Sequence, residues 1–295
     1  MSTPLLITKL YVPPVRAEMV PRPRLIERLN AGLWQGGLGV GKGGLGKGAP
    51  RKGLGFARRL TLVSAPAGFG KTTLVSEWIH GLGVRYQTAP GERRDAPPQV
   101  VWLSLDEGDN DPVLFLPYLI AALQQLDETI GEGAQSLLQS PQLPSGQGLA
   151  TQLLNELSTF PNPFILVLDD YQAIRCAEIH EMLGFLIDNQ PPQMHTVIAT
   201  RRDPRLPLAR WRARGESTEI RTPDLRFTVD EARDFMNLGM GLDLTVELVE
   251  ALGARTEGWI AGLQLAALAL QGLGSRGSQD PADFVRQFSG SDRYV

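Results

Sequence analysis

Residues 59–78 read RLTLVSAPAGFGKTTLVSEW, and this stretch decides how the chain folds. The apolar run Leu60–Val63 predicts a short buried strand, and the small residues of Ala65–Gly70 predict a turn after it. Lys71–Thr73 then begin a segment whose apolar spacing indicates an amphipathic helix. A strand, a glycine turn, a Lys-Thr pair and a helix in this order are typical of a phosphate-binding loop, although Ala65 takes the place of its first glycine.

The residue types in this turn suit a bound nucleoside triphosphate. Gly68 and Gly70 let backbone N–H groups surround an anion without a Cβ clash, and the following helix directs the positive end of its dipole to the same place. Lys71 adds a charge for the β- and γ-phosphates, and the Thr72 hydroxyl is a Mg²⁺ ligand. The structural alternative is a glycine-rich turn with a helix-capping threonine. We expect ATP or ADP with Mg²⁺ to be bound by Ala67, Gly68, Phe69, Gly70, Lys71, Thr72 and Thr73.

A second strong signal is the sequence FILVLDD at residues 164–170. An apolar run that ends in two carboxylates predicts a strand buried on both faces, with its acids at the sheet edge where open parallel sheets bind ligands. In a protein with a phosphate loop, we assign Asp169 to Mg²⁺, held through water, and Asp170 to orienting the attacking water. The alternative is a strand followed by an Asp-capped turn.

A further strand, His195–Thr200, ends next to Arg201. In this architecture the strand lies beside the acidic strand, so we interpret Arg201 as the group that senses a γ-phosphate. More arginines follow, up to Arg214. The alternative interpretation of this basic stretch is a charged surface exposed to solvent.

Composition and charge exclude several classes of protein. The longest apolar run, Ile260–Leu270, is shorter than the roughly 20 residues of a membrane span, and the N-terminus has no secretory signal pattern. The single cysteine, Cys176, excludes an internal disulfide and fits a reducing cytoplasm. The net charge of −3 lacks the basic excess of a nucleic-acid-binding domain. We therefore expect a cytoplasmic protein whose present chain contacts neither DNA nor a membrane.

Changes in composition divide the chain into five parts. Residues 1–30 combine prolines with short apolar patches, which predicts a strap over a larger domain. The glycine-rich residues 31–58 predict a flexible insertion. The phosphate-loop domain covers 59–223, and the helical pattern of 224–288 predicts a small all-α domain. Residues 289–295 form the fifth part, which the family resemblance described below implies to be a linker cut short.

Two segments of the insertion imitate the G-x-x-x-x-G-K spacing of a phosphate loop, Gly36–Lys42 and Gly41–Lys47. In both, glycine rather than serine or threonine follows the lysine, and no strand precedes the segment. Neither is predicted to bind phosphate.

The order and spacing of these motifs resemble those of STAND-type signalling ATPases, in particular the MalT-like, large ATP-binding regulators of the LuxR class. The matching segments are Thr8–Leu10, Arg22–Leu25, Ser64–Thr73, Trp102–Asn110, Leu168–Tyr171, Thr200–Arg201, Asp224–Thr228 and Glu257–Trp259. The likeness covers nearly the whole chain outside two insertions, the glycine-rich residues 31–58 and a predicted polar insertion at Arg85–Gln99.

The resemblance implies an α/β fold of the P-loop NTPase class, ASCE/AAA-like, with helices on both faces of a parallel sheet and a small all-α domain after it. It also implies that two parts of the chain enclose the adenine. These are the helical domain and the strap, with Lys9, Leu10 and Arg22. From the residues alone, Lys9 and Arg22 are equally consistent with a solvated surface. Where relatives often have Gly-x-Pro, this chain has Ile260 in place of the proline, which weakens the expected contact there.

For function, the resemblance implies an ATP/ADP switch that oligomerises when ATP and an inducer are bound and returns to rest by slow hydrolysis. Family members continue into a winged helix, a helical-repeat sensor and a C-terminal helix-turn-helix, so a small-molecule or protein inducer is expected to bind a sensor absent from these 295 residues. We expect the chain to be a piece of such a regulator. The alternative is a nucleotide-gated oligomerisation scaffold without significant hydrolysis.

Overall fold

Five parallel strands form a single sheet at the centre of the computed structural model. The structure describes residues 5–15, 19–33, 55–88, 97–138, 145–274 and 280–288. The strands are β1 (Leu60–Ser64), β2 (Gln99–Ser104), β3 (Phe164–Asp169), β4 (Met194–Thr200) and β5 (Ser217–Arg221). Most of the predicted insertion at 31–58, with both imitating segments, and all of the predicted linker at 289–295 lie outside the described residues.

The strand order β2-β3-β4-β1-β5 places β4 between the phosphate-loop strand and the acidic strand. Ser64 at the end of β1 pairs with Thr200 at the end of β4, so these strands end at the same sheet edge. On the other side of β4, Leu168 pairs with Ile198. The loop after β1, the acids of β3 and Arg201 after β4 therefore lie at one edge. This arrangement confirms the predicted α/β fold of the P-loop NTPase class.

Helices cover both faces of the sheet. Those before the helical module are α1 (Pro23–Leu33), α2 (Lys71–Thr88), α3 (Pro112–Leu123), α4 (Glu132–Leu138), α5 (Gly146–Thr159), α6 (Ala177–Asn189) and α7 (Leu208–Ala213). Alternate residues of β3 enter different cores, because successive side chains of a strand point to opposite faces. Leu166 and Leu168 pack with α3, α5 and α6, whereas Ile165 and Val167 pack with α1 and α2.

The helical module has a hydrophobic core of its own. It contains α8 (Thr222–Leu225), α9 (Val229–Arg233), a π-helical turn (Asp234–Gly239), α10 (Val246–Thr256), α11 (Ile260–Gly274) and α12 (Pro281–Gln287). The Thr228 side chain accepts from the Glu231 amide, and the Glu231 side chain accepts from the Thr228 amide, which forms a capping box at the start of α9. Met236, Val249 and Leu263 are fully buried in the core of this module.

Two helical segments differ from the sequence prediction. Helix α6 lies between β3 and β4, where no helix is predicted, and it buries Ile179, Leu183 and Leu186 at helical spacing. Helix α2 extends to Thr88, into a segment predicted to be a polar insertion beginning at Arg85. Among the helices of the described ranges, none is long and apolar enough to cross a membrane.

Candidate functional site

The loop between β1 and α2 is shaped to surround an anion. Gly68 and Gly70 have φ of 78° and 72°, in the left-handed region that favours glycine. Among the described residues, the amides of Gly68, Phe69 and Gly70 donate to no backbone or side-chain acceptor. The loop therefore offers a row of backbone donors next to the N-terminus of α2, which is the donor set that a phosphate group needs.

Lys71 is buried at the start of α2, with 8% of its surface exposed. Its Nζ donates to the carbonyl oxygen of Pro66 at 2.9 Å. Burial lowers the pKa of Lys71, the charges of Asp170 and Asp169 oppose this shift, and the charge of Arg201 adds to it. Asp169, Asp170 and Arg201 therefore all lie close enough to Lys71 for their charges to act on it.

Thr72 and Asp169 are in direct contact. The Thr72 hydroxyl donates to the two carboxylate oxygens at 3.1 and 2.9 Å. Burial raises the pKa of Asp169 to about 6, and the neighbouring Asp170 adds to the rise. Within the described residues there is no group of three or more His, Cys, Asp or Glu side chains that could bind a metal by themselves. The Thr72 hydroxyl and the Asp169 carboxylate are oxygen donors that fit Mg²⁺, which takes one or two protein oxygens and completes its shell with phosphate oxygens and water.

Gln172 joins the second acid to the strand that carries Arg201. Asp170 has φ of 54°, and its Oδ1 accepts from Gln172 Nε2 at 2.7 Å. Gln172 Oε1 in turn accepts from the backbone amide of Arg201 at 3.0 Å. Gln172 was not a predicted site residue, and its place two positions after Asp170 gives no signal of a contact with the neighbouring strand.

Lys9 and Leu10 lie on a 3₁₀ turn, Ile7–Leu10, that packs beside β2. Lys9 Nζ lies 2.8 Å from carboxylate oxygens of Asp106 and Asp109. Leu10 is buried in the core beneath α3. The described contacts of both residues are on the β2 side of the molecule, so a direct role in nucleotide binding stays a prediction.

Arg22 lies where the strap meets the helical module. It is only 4% exposed, and its Nη2 donates to the Leu225 carbonyl at 2.8 Å and lies 3.4 Å from Glu231 Oε2. The guanidinium carbon lies 5.0 Å from the centre of the Phe227 ring. Within the described part of the chain, Nε and Nη1 of Arg22 are buried without a hydrogen-bond partner. Its predicted contact with a nucleotide also stays a prediction.

The structure adds Trp259, which was not a predicted site residue. Trp259 Nε1 donates to the carbonyl of Ala67 in the phosphate loop at 2.9 Å. The Cδ1 of the next residue, Ile260, lies 3.1 Å from where a Cβ on Gly70 would be. The sequence signal was the Gly258-Trp259 pair, but 192 residues separate Trp259 from Ala67. The helical module therefore reaches the phosphate loop itself.

Comparison of the sequence with curated proteins identifies relatives of this chain. Over 211 residues, 72% of this chain, the sequence is 37% identical to the HTH-type transcriptional regulator MalT of Cronobacter sakazakii. Over these residues the chain is MalT-like. The resemblance to MalT-like STAND proteins is thereby confirmed. The chain spans about a fifth of the length of the curated relatives it matches, 22% in the case of this MalT.

This chain is also similar in sequence to a protein kinase. It is 33% identical over 239 residues, 79% of its length, to the serine/threonine-protein kinase PknK of Mycobacterium tuberculosis, of which it covers 20%. No family model matches the chain. Among solved structures, Cdc6p from Pyrobaculum aerophilum superimposes with a TM-score of 0.49 at 14% identity, over 90% of this chain and 65% of that chain. The fold assignment itself depends on the strand order and the phosphate loop.

Proposed function

We propose that the chain is an ATP/ADP-binding switch module with slow ATP hydrolysis, the nucleotide-binding and oligomerisation part of a MalT-like, signal-responsive transcriptional regulator. The supporting observation is that Lys71, the Thr72–Asp169 pair and Arg201 meet at one sheet edge, around a loop with open backbone amides. Residues 59–223 would form the nucleotide-binding domain and residues 224–288 the helical domain that covers the loop.

Each site residue has a distinct role in this proposal. The loop amides and Lys71 bind the β- and γ-phosphates, and Arg201 binds the γ-phosphate. Thr72 and Asp169 hold Mg²⁺, which when bound neutralises phosphate charge. Asp170 accepts a hydrogen bond from a water molecule and orients its oxygen toward the γ-phosphorus. As the new P–O bond forms, the bond to the β-phosphate oxygen breaks, which yields ADP and phosphate.

Nucleotide binding is tested by a pair of lysine variants. Lys71→Ala should abolish binding of ATP and ADP in titration calorimetry, because it removes the buried cation of the loop. Lys47→Ala is the matched control, since Lys47 ends a G-x-x-x-x-G-K segment without the strand and the hydroxyl. Equal affinities of the two variants for MgADP would show that the phosphate-loop assignment is wrong.

A nucleotide-gated scaffold without significant hydrolysis is the second candidate. It is favoured by the contact between Gln172 and Asp170, because one oxygen of the proposed water-orienting carboxylate is already engaged. Light scattering after size-exclusion chromatography, with ATP or with ADP, measures self-association, and release of phosphate measures turnover. A change in particle mass with ATP and no detectable phosphate release would favour the scaffold.

The remaining parts of the proposal concern the whole regulator. The named function of the MalT relative is transcriptional regulation through an HTH element. By analogy, an inducer, either a small molecule or a protein, would act through a C-terminal sensor, and DNA would be bound outside these 295 residues, in the cytoplasm. A DNA-binding assay with this chain alone should therefore show no specific complex.

A further inference from the structure

The helical module reaches the phosphate loop through a turn at Glu257 and Gly258. Both residues have positive φ, 52° and 70°. The Gly258 amide donates to the Gly253 carbonyl, and the Gly258 carbonyl accepts from the Phe227 amide, each at 2.9 Å. This turn is therefore fixed on both sides, and it places Trp259 and the first turn of α11 against the loop.

Two donors of this segment hold two successive carbonyl groups of the loop. Trp259 Nε1 donates to the Ala67 carbonyl at 2.9 Å, and the Ala261 amide donates to the Gly68 carbonyl at 3.0 Å. The contact is also tight sterically, because a Cβ on Gly68 would lie 2.6 Å from both Trp259 Nε1 and Ala261 Cβ. Trp259 is 4% exposed and shares a core with Phe69 of the loop.

These two hydrogen bonds determine where the loop amides point. In a planar trans peptide the C=O and the N–H face opposite ways, and the described residues contain no cis peptide bond. A carbonyl of Ala67 held by the indole turns the Gly68 amide away from the helical module. A carbonyl of Gly68 held by Ala261 does the same for the Phe69 amide. Both amides belong to the open set that faces a phosphate.

The need for such support follows from the glycines of the loop. Glycine occupies positive and negative φ about equally well, so the peptide units around Gly68 have little intrinsic preference for one orientation. Donors that fix the carbonyls before a ligand arrives reduce the entropy lost on binding. The support comes from the helical module, not from the strand or helix that flank the loop.

We propose that the Trp259 indole and the Ala261 amide are positioning groups for the phosphate loop, so that docking of the helical module and phosphate binding strengthen each other. The inference rests on the proposed nucleotide site. Because linkage between two equilibria is reciprocal, a bound phosphate chain tightens the contact between Trp259 and Ala67 to the same degree.

The test is Trp259→Phe, which keeps an aromatic ring in the core and removes the indole N–H. Trp211→Phe is the matched control, since Trp211 Nε1 makes a hydrogen bond of similar length, 2.8 Å to Asp188, in the core on the other face of the sheet. We expect Trp259→Phe to lower the affinities for ADP and for inorganic tripolyphosphate about fivefold, the effect of one lost hydrogen bond. Hydrogen exchange at the Ala261 amide of the ligand-free protein, which is protected by its hydrogen bond to the Gly68 carbonyl, should accelerate in this variant alone.

Three outcomes decide whether the Trp259 indole positions the phosphate loop. Unchanged tripolyphosphate affinity and unchanged exchange in Trp259→Phe would overturn the inference, and so would an equal loss in Trp211→Phe. If Lys71→Ala also binds ADP normally, the proposed nucleotide site fails as well, so the two failures are distinguishable. If Trp259→Phe does not fold, replacement of the indole of Trp259 by the sulfur isostere benzothienylalanine removes only the N–H and provides the same readouts.

Discussion

Two lysines of this protein differ in what surrounds their charge. Lys9 is partly buried, and burial alone would lower its pKa, but hydrogen bonds and charge from Asp106 and Asp109 raise it above its ordinary value. Lys71 is buried, and there burial prevails and lowers the pKa, with only a carbonyl oxygen at hydrogen-bond distance. The carboxylates of Asp106 and Asp109 therefore neutralise the charge of Lys9, whereas the charge of Lys71 remains available to a ligand.

The difference separates structural from ligand-binding groups. A buried cation without a carboxylate in contact is unfavourable for stability, so its presence at a glycine loop is best explained by an anion that binds there. A partly buried cation that two carboxylates already hold, such as Lys9, needs no bound anion. His195 is a structural group like Lys9, because both of its ring nitrogens have hydrogen-bond partners within the protein. The Thr72–Asp169 pair is grouped with Lys71 among the proposed ligand-binding residues.

The largest expected effect is at Lys71. Lys71→Met should lower the affinity for MgADP by about 100-fold or more, beyond what calorimetry detects, because a charge-assisted contact with the β-phosphate is lost in a partly dry site. The free energy of unfolding should not fall, since the change removes a buried charge without a carboxylate in contact. Calorimetry and denaturant unfolding measure the two quantities. A loss of stability with unchanged affinity for MgADP would give Lys71 the structural role that we assign to Lys9.

Lys9→Met should have the opposite profile. It leaves Asp109, which is 1% exposed, without its cation, so we expect a loss of about 2 kcal/mol in the free energy of unfolding. Affinity for MgADP should change by less than about threefold, given the size of indirect effects. A drop in affinity as large as that of Lys71→Met would place Lys9 in the nucleotide site.

The third prediction concerns His195 and pH. Its Nδ1–H donates to the Arg58 carbonyl and its Nε2 accepts from the Thr61 hydroxyl, and burial lowers the pKa of His195 to about 4 from an unfolded value of 6.5. The unfolded state therefore binds the proton first, so the contribution to stability is complete above pH 6.5 and is lost as the pH falls toward 4. Between pH 6.5 and 5 this loss is roughly 1.5 kcal/mol.

Denaturant unfolding at several pH values checks this, with His195→Gln for comparison. The variant should be less sensitive to acid over the same interval. An unchanged slope would assign the acid sensitivity to another group, such as His180, whose pKa burial also lowers.

The smallest expected effect is at Thr72. Thr72→Val keeps the shape of the side chain and removes the hydroxyl that contacts Asp169. The Mg²⁺-dependent part of ADP affinity should fall about tenfold, and affinity in excess EDTA should stay the same. Ser76→Ala is the control, since it also removes a buried hydroxyl from α2, one turn further from the loop. Equal effects of the two changes would argue against a metal ligand at Thr72.

Local patterns in the sequence were sufficient to predict the central strands of the sheet. Apolar runs that end in small or acidic residues predicted β1, β3 and β4 within one or two residues, because strands buried on both faces have few other compositions. The strand that ends at Asp169 is an example. Helix α6 was missed although Ile179, Leu183 and Leu186 have helical spacing. The extent of α2 could not be predicted, because its last turn has the composition of a polar loop.

The site could be predicted only in part. Lys71, Thr72 and Asp169 belong to motifs that local sequence specifies, and the structure brings them together. Gln172 and Trp259 contact the site through hydrogen bonds to other elements, which depend on how strands and domains pack. For Trp259, neither composition nor spacing indicates a partner 192 residues away.

The central claim is that the loop after β1 binds the phosphates of a nucleotide. The most direct test is titration calorimetry of MgADP into the nucleotide-free protein, with Lys71→Ala and Lys47→Ala measured in parallel. We predict one binding site per chain for the wild type and for Lys47→Ala, and no measurable heat for Lys71→Ala. Binding by all three proteins with the same affinity would contradict the claim.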